Sequence, residues 1–336
     1  MKFGVFDHMD DSGRDPGQQF EERLKLTEIY DRSTLFAYHL AEHHGTPLGF
    51  APSPNLFLAA VTQRTRRLRL GPMVLLLPLY PPVRLIQEIA MLDRMSGGRL
   101  ELGVGRGVSP IEVAFFGLDP VDGPDQFAEA LEVLLEGFRV DELNHAGRFY
   151  SFDRVPMILH PVQKPHPPLW YGVNRAESVA RVAGRGMSMM MNGPADRVRA
   201  LTDLYRGEWR RLDRDPATLP FLALSRHVVV ADNGNTARRI AKRCYRPWRR
   251  HIEQLWKQRG VVFPLALPDE FETLQAMGLG MAGTAVEVRD AIAAQATTAG
   301  ITYCCARLCF GDMTFEEAAA SAELFLTEVV PALSEA

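Results

Sequence analysis

Eight strand-like segments alternate with stretches of helical periodicity along this chain of 336 residues, beginning near residues 2, 36, 68, 99, 169, 187, 224 and 301. Such alternation favours parallel strands, because each crossover helix returns the chain to the same end of the sheet. Eight units predict an α/β fold, a single (β/α)8 TIM barrel over residues 1–336. Leu68 to Leu77 is nearly continuously apolar, as a strand covered on both faces requires. The punctuation agrees with the pattern. Pro81 and Pro82 open one helix and Gly97-Gly98 close it, Asn55 is a plausible cap for a helix over 56–65, Gly300 stops another, and Thr284 with Glu287 and Thr314 with Glu317 read as capping boxes. The length beyond the roughly 250 residues of a typical barrel falls into insertions near 106–123, 141–168 and 258–283. The last, rich in glycine, proline and methionine, suits a mobile lid.

The formal net charge of −3, without a dominant basic block, argues against a nucleic-acid or polyanion binder. The arginine clusters at 64–69 and 246–250 read as solvated helix faces or ends. The first residues have no charged head, apolar core or cleavage site, so no signal peptide is expected, and no apolar run approaches the ~20 residues of a membrane span. Four cysteines are too few for a disulfide framework at this length, which fits a reducing cytoplasm. Cys304, Cys305 and Cys309 read as small packing residues.

Chemistry in such barrels collects where the strands end. The second strand runs into Tyr38-His39-Leu40-Ala41-Glu42-His43-His44, and a neutral imidazole there can accept a proton at one nitrogen while donating from the other. Glu42 can orient such a ring. The same residues fit the H-x-x-E-H zinc pattern, which needs a helix; an extended segment instead separates His39 from His43 by about 13 Å, so no metal site is expected. The fourth strand ends in Gly103-Val104-Gly105-Arg106-Gly107. It lacks the third glycine of a dinucleotide fingerprint, but its arginine can grip a phosphate bidentately. Asn174, Arg175 and Ser178 stand where the helix after the 169–173 strand begins, and either bind an anion or simply cap that helix.

Ala41-Glu42-His43-His44, Leu75-Leu76-Leu77-Pro78 with Pro82-Val83-Arg84, and the run from Leu92 to Gly107 together resemble the bacterial-luciferase-like flavin monooxygenases. The likeness is densest over 36–118, with a weaker echo over 283–333. It implies reduced FMN bound at the barrel mouth and supplied by a separate NAD(P)H-dependent flavin reductase, reacting with O2 to a flavin hydroperoxide that oxidises a small organic substrate. It also implies a homodimer packed through early helices. By the same resemblance His43 is the catalytic histidine, with Glu42 or His44 fixing its tautomer, and Met73-Val74 is a non-prolyl cis peptide under the flavin ring. Arg106 and Ser178 would hold the FMN phosphate, with Asn174 and Arg175 beside them, and Gly105 stands where luciferase itself has a reactive cysteine. Phe6, Phe115, Phe116, Trp170 and Met189-Met190-Met191 offer an apolar lining, so an apolar substrate is expected. The alternatives are a deazaflavin-dependent dehydrogenase of the same superfamily, a non-catalytic flavin-binding subunit and, furthest away, a zinc hydrolase.

Overall fold

Residues 1–334 are described by a computed structural model. In chain order the strands are β1 (Lys2–Asp7), β2 (Ala37–Leu40), β3 (Arg69–Pro72), β4 (Leu75–Leu76), β5 (Leu102–Gly105), β6 (Glu142–Ala146), β7 (Ser151–Pro156), β8 (Leu169–Gly172), β9 (Ser188–Met191), β10 (Leu222–Val230), β11 (Gly280–Gly283) and β12 (Tyr303–Arg307). The helices are α1 (Pro16–Asp31), α2 (Pro54–Arg64), α3 (Pro82–Met95), α4 (Pro110–Phe115), α5 (Gly123–Gly137), α6 (Val179–Gly184), α7 (Ala195–Arg211), α8 (Gly234–Gln258), α9 (Phe271–Ala276), α10 (Ala285–Ala299), α11 (Phe315–Leu324) and α12 (Val330–Ser334). Each expected strand forms close to its expected start.

The parallel sheet runs β3-β2-β1-β12-β10-β9-β8-β5-β4. β3 and β4 are two pieces of one stave interrupted at a cis Met73–Val74 peptide, so the order closes on itself into a barrel. Helices cover the outside, and the large apolar core lies between them and the strands. No helix among the described residues is long and apolar enough to cross a membrane.

Local signals account for most boundaries. Both capping boxes form, at Thr284 with Glu287 and at Thr314 with Glu317, and Gly300 ends α10 in the left-handed conformation that glycine adopts without strain. Asn55 does not cap α2: Ser53 holds that position, with Pro54 in the first turn. Within 141–168 lies an antiparallel hairpin, β6 with β7, where only a crossing was expected.

The 258–283 stretch is not a lid throughout. Its end is β11, which pairs beside β10 from His227↔Gly280 to Val230↔Gly283 and is buried along its length. Glycine packs closely there: a Cβ on Gly280 would stand 3.0 Å from side-chain atoms of both Leu274 and Phe271, so those side chains would have to shift.

Inside the barrel the alternation of each strand sets who faces the axis. Phe6, Ala41, Met73, Trp170, Met190, Ala223, Tyr303 and Cys305 form that inner cluster. Met189 and Met191, expected as lining, point the other way into the outer core. Tyr303 fits only because position 4 is glycine: a Cβ there would fall 1.8 Å from its hydroxyl oxygen. Arg69, expected in solvent, turns inward and ion-pairs with Glu101, whose other oxygen accepts the Trp170 indole N–H at 2.5 Å. Arg249 is likewise not a solvated head, being paired with Glu253 and bonded to the Leu267 and Pro268 carbonyls.

His39 belongs to this interior. It is fully buried, shares a 3.1 Å hydrogen bond with the Tyr303 hydroxyl, meets Trp170 edge to face, and is pushed down to about 3 by burial, so it stays neutral. It sits one layer beneath the barrel mouth and is a packing residue.

Candidate active site at the barrel mouth

β2 ends at Leu40, and the chain leaves the sheet through Ala41, Glu42, His43 and His44. Because side chains alternate, His39, Ala41 and His43 follow one another up the inner face. The carboxylate beside His43 is Glu112, the third residue of α4, with Oε1 3.4 Å from Nδ1. Its Oε2 accepts the backbone N–H of His44 at 2.8 Å. Burial alone would raise the Glu112 carboxyl, but the bond from His43 and the His44 contacts outweigh it and hold it below its ordinary value.

Glu42 serves a different ring. Its Oε1 is 2.8 Å from Nε2 of His44, and its Oε2 accepts the Leu76 N–H at 2.9 Å, tying the end of β2 to β4 across the stave break. Burial, together with the nearby Glu42 carboxylate, pushes the Tyr80 phenol up. The expected trio is therefore brought together, but the expected Glu42–His43 contact is replaced by Glu112–His43.

Sequence reasoning passed over Glu112, although Ser109-Pro110-Ile111-Glu112 carries a helix-start signature. Ser109 caps α4 by accepting the Glu112 N–H, while the Glu112 side chain turns away to the histidines instead of completing a capping box.

Three further inward residues at strand ends were not foreseen. His8, just past β1, accepts the Trp248 indole N–H on Nδ1 at 3.3 Å and lies with its ring centroid 5.7 Å from that of His43. Burial, then the Arg307 and His43 charges, hold it well below its ordinary value, so it is neutral. His227 on β10 is likewise buried and kept neutral, packed between Trp248 and Phe310. Arg307 closes β12 and lies over the rings of Phe6 and Trp248, with centroid distances of 4.9 and 5.9 Å. The common signal was a polar residue at an inward phase near a strand's C-terminal end.

The expected phosphate residues occupy one sector of the rim. β5 pairs β8 with Val104 opposite Tyr171, so Arg106, just beyond β5, stands beside the chain that leads into Asn174 and Arg175. Arg106, Asn174 and Arg175 are exposed, and Ser178 is half-buried at the start of α6 without capping it. None of these four side chains makes a hydrogen bond within the described residues. Unpaired guanidinium, amide and hydroxyl donors gathered at one rim suit a phosphate, so the residues present fit that part of FMN. Met73 and Val74 lie between β3 and β4 on the neighbouring stave, and Val74 Cγ2 would be only 2.4 Å from a Cβ on Gly105. Val74 thus fills the space that a cysteine would need.

Phe115 and Phe116 form an exposed apolar collar over this region. Phe116 meets His44 edge to face at 4.8 Å, and the Arg259 guanidinium lies 5.4 Å from the Phe115 ring, joining the loop after α8 to α4.

Comparison with known proteins identifies the family. A family model described as luciferase-like monooxygenase matches residues 1–303. The chain is 40% identical over 330 residues to the protein y4wF of Sinorhizobium fredii, covering 98% of this chain and 96% of that one. It is 27% identical over 355 residues to the oxygenase component of the flavin-dependent trigonelline monooxygenase of Acinetobacter baylyi, covering 100% and 96%. Among solved structures, the monooxygenase RslO1 from Streptomyces bottropensis superposes with a TM-score of 0.89 at 27% identity over 99% of both chains. The oxygenating constituent of 3,6-diketocamphane monooxygenase from Pseudomonas putida, solved with FMN, shares the fold at a TM-score of 0.83 and 20% identity over 98% of both.

Proposed function

The chain belongs to the luciferase-like monooxygenase family and is a flavin-dependent monooxygenase, and from that premise we propose that it uses reduced FMN and O2 to oxidise a small organic substrate at the barrel mouth. The observation that carries this reading is the pairing of His43 with Glu112 at 3.4 Å beside a rim of unpaired phosphate donors. Reduced FMN, when bound, supplies the electrons that activate dioxygen.

This chain's residues do the rest. Arg106, Asn174, Arg175 and Ser178 would hold the phosphate, and Gly105 with Met73 and Val74 would lie against the ring system. Glu112 accepts the Nδ1 proton of His43, which fixes the tautomer and leaves Nε2 free to take and return a proton at the reacting centre. His44 and Glu42 brace that carboxylate through the His44 backbone and the tie to Leu76. Phe115 and Phe116 exclude water, which keeps the oxidising equivalents from being lost as peroxide.

The reduced flavin comes from a separate NAD(P)H-dependent reductase, as the name of the Acinetobacter baylyi relative, an oxygenase component, supports. The enzyme works as a cytoplasmic homodimer. Exposed Leu56 on α2, with Met91 and Met95 on α3, supplies the apolar face for that pairing.

Anaerobic titration tests the cofactor. Reduced FMN is expected to bind and then to consume O2 on aeration, whereas preferential binding of a reduced deazaflavin without O2 consumption would assign a dehydrogenase instead.

A further inference from the structure

Arg307 is 8% exposed, yet its charge is not matched. Nη2 donates to Asn192 Oδ1 at a long 3.3 Å and Nε has no partner. Among the described residues no carboxylate forms an ion pair with it; burial, its chief influence, pushes the guanidinium down to about 10. Beside it, Nε2 of His227 is also buried without a partner. A buried cation left like this is costly to the folded state, since charges out of water are normally paired. Proteins keep such a group where a ligand completes it.

The position says which ligand. In the closed order, β12 and β10 lie across the barrel from β4 and β5. On the reading above, FMN occupies the rim at β4, β5 and β8, which leaves the β12–β10 side to the substrate. Nε is closed off, so the donors left for a ligand are the hydrogens of Nη1, which makes no hydrogen bond among the described residues, and of Nη2, a planar edge that matches the two oxygens of a carboxylate better than a single carbonyl. The guanidinium is backed by the Phe6 and Trp248 rings, so the rest of the ligand meets apolar surface.

We infer that Arg307, with His227 and Asn192 beside it, is the substrate anchor, and that the substrate is an organic acid whose carboxylate docks on β12 while its reacting carbon points across the barrel towards His43. This rests on the proposed oxygenase function for its geometry, but the anion site itself does not need flavin. It adds a carboxylate to the largely apolar substrate expected from the lining.

Calorimetric titration of the full-length protein with benzoate and its neutral counterpart benzamide, with FMN affinity measured separately, tests it. Benzoate is expected to bind and benzamide to bind far more weakly; Arg307→Gln should weaken benzoate about a hundredfold, Arg307→Lys by less, and neither should change FMN affinity. The melting temperature of ligand-free Arg307→Gln should rise, because the unmatched charge is gone. Equal binding of the two probes, no binding of benzoate, a lowered melting temperature in both variants, or a loss confined to FMN would each overturn the assignment. Benzoate binding through Arg307 in a chain that binds no FMN would instead sink the oxygenase reading and leave the anion site standing.

Discussion

The Nδ1 atom of His43 lies 3.4 Å from Oε1 of Glu112, across 69 residues of chain. One residue comes from the end of a barrel strand and the other from a six-residue helix, so the pair exists only in the folded barrel. Its second oxygen holds the His44 N–H, which makes Glu112 the hinge between the histidine segment and α4.

Glu112→Gln keeps the shape and removes the charge. Turnover of substrate per FMN oxidised should fall about tenfold to a hundredfold, within the range of losing acid–base assistance, with melting temperature little changed. Glu42→Gln should act mainly on stability, because Glu42 ties Leu76 and His44 and does not touch His43. Equal activity losses in the two variants would contradict this division.

Arg106→Ala should weaken FMN about tenfold to a hundredfold, as the loss of one or two charge-assisted hydrogen bonds does. Riboflavin, which has no phosphate, should bind both proteins alike. Fluorescence titration with the two flavins separates a phosphate contact from a general defect.

Gly105→Ala puts a Cβ 2.4 Å from Val74 Cγ2. Overpacking of this kind costs about 1–3 kcal/mol, and Val74→Ala in the same chain should recover most of it. A denaturant series on the single and double variants measures the coupling.

His39 is held neutral at about 3 while an unfolded histidine titrates near 6.5. The unfolded chain therefore binds more protons as pH falls, and stability from this group is complete above about 6.5 and lost progressively towards 3. His8 and His227, also held low, act in the same direction. Between pH 6.5 and 5 the His39 contribution alone is about 1.5 kcal/mol, so His39→Gln should flatten the pH dependence of the urea midpoint over that window.

Much of the barrel could be read in advance, because a strand buried on both faces must be an apolar run and its helix must be capped. β11 could not, since Gly280 to Gly283 carries the composition of a loop and becomes a strand through its pairing with β10, with α9 crowding position 280. The hairpin of β6 and β7 was hidden by the prolines that follow it. At the site, the histidine segment announced itself by density. Glu112 did not, because its partner lies far away in sequence, nor did His8 beyond the end of β1, His227 after Ser225 and Arg226 on β10, or Arg307 at the end of β12, none of which belongs to a motif. The phase of the alternation would have found them: Phe6 points inward, so His8 must as well.

The most direct test of the account is rapid mixing of oxygen with the chain bound to stoichiometric reduced FMN, following flavin absorbance and peroxide release in wild type and His43→Ala. Oxidised flavin and peroxide are expected to appear much later on the wild-type protein than in free solution, and His43→Ala to shorten the delay. Reoxidation of the wild-type complex as fast as free FMN would contradict it.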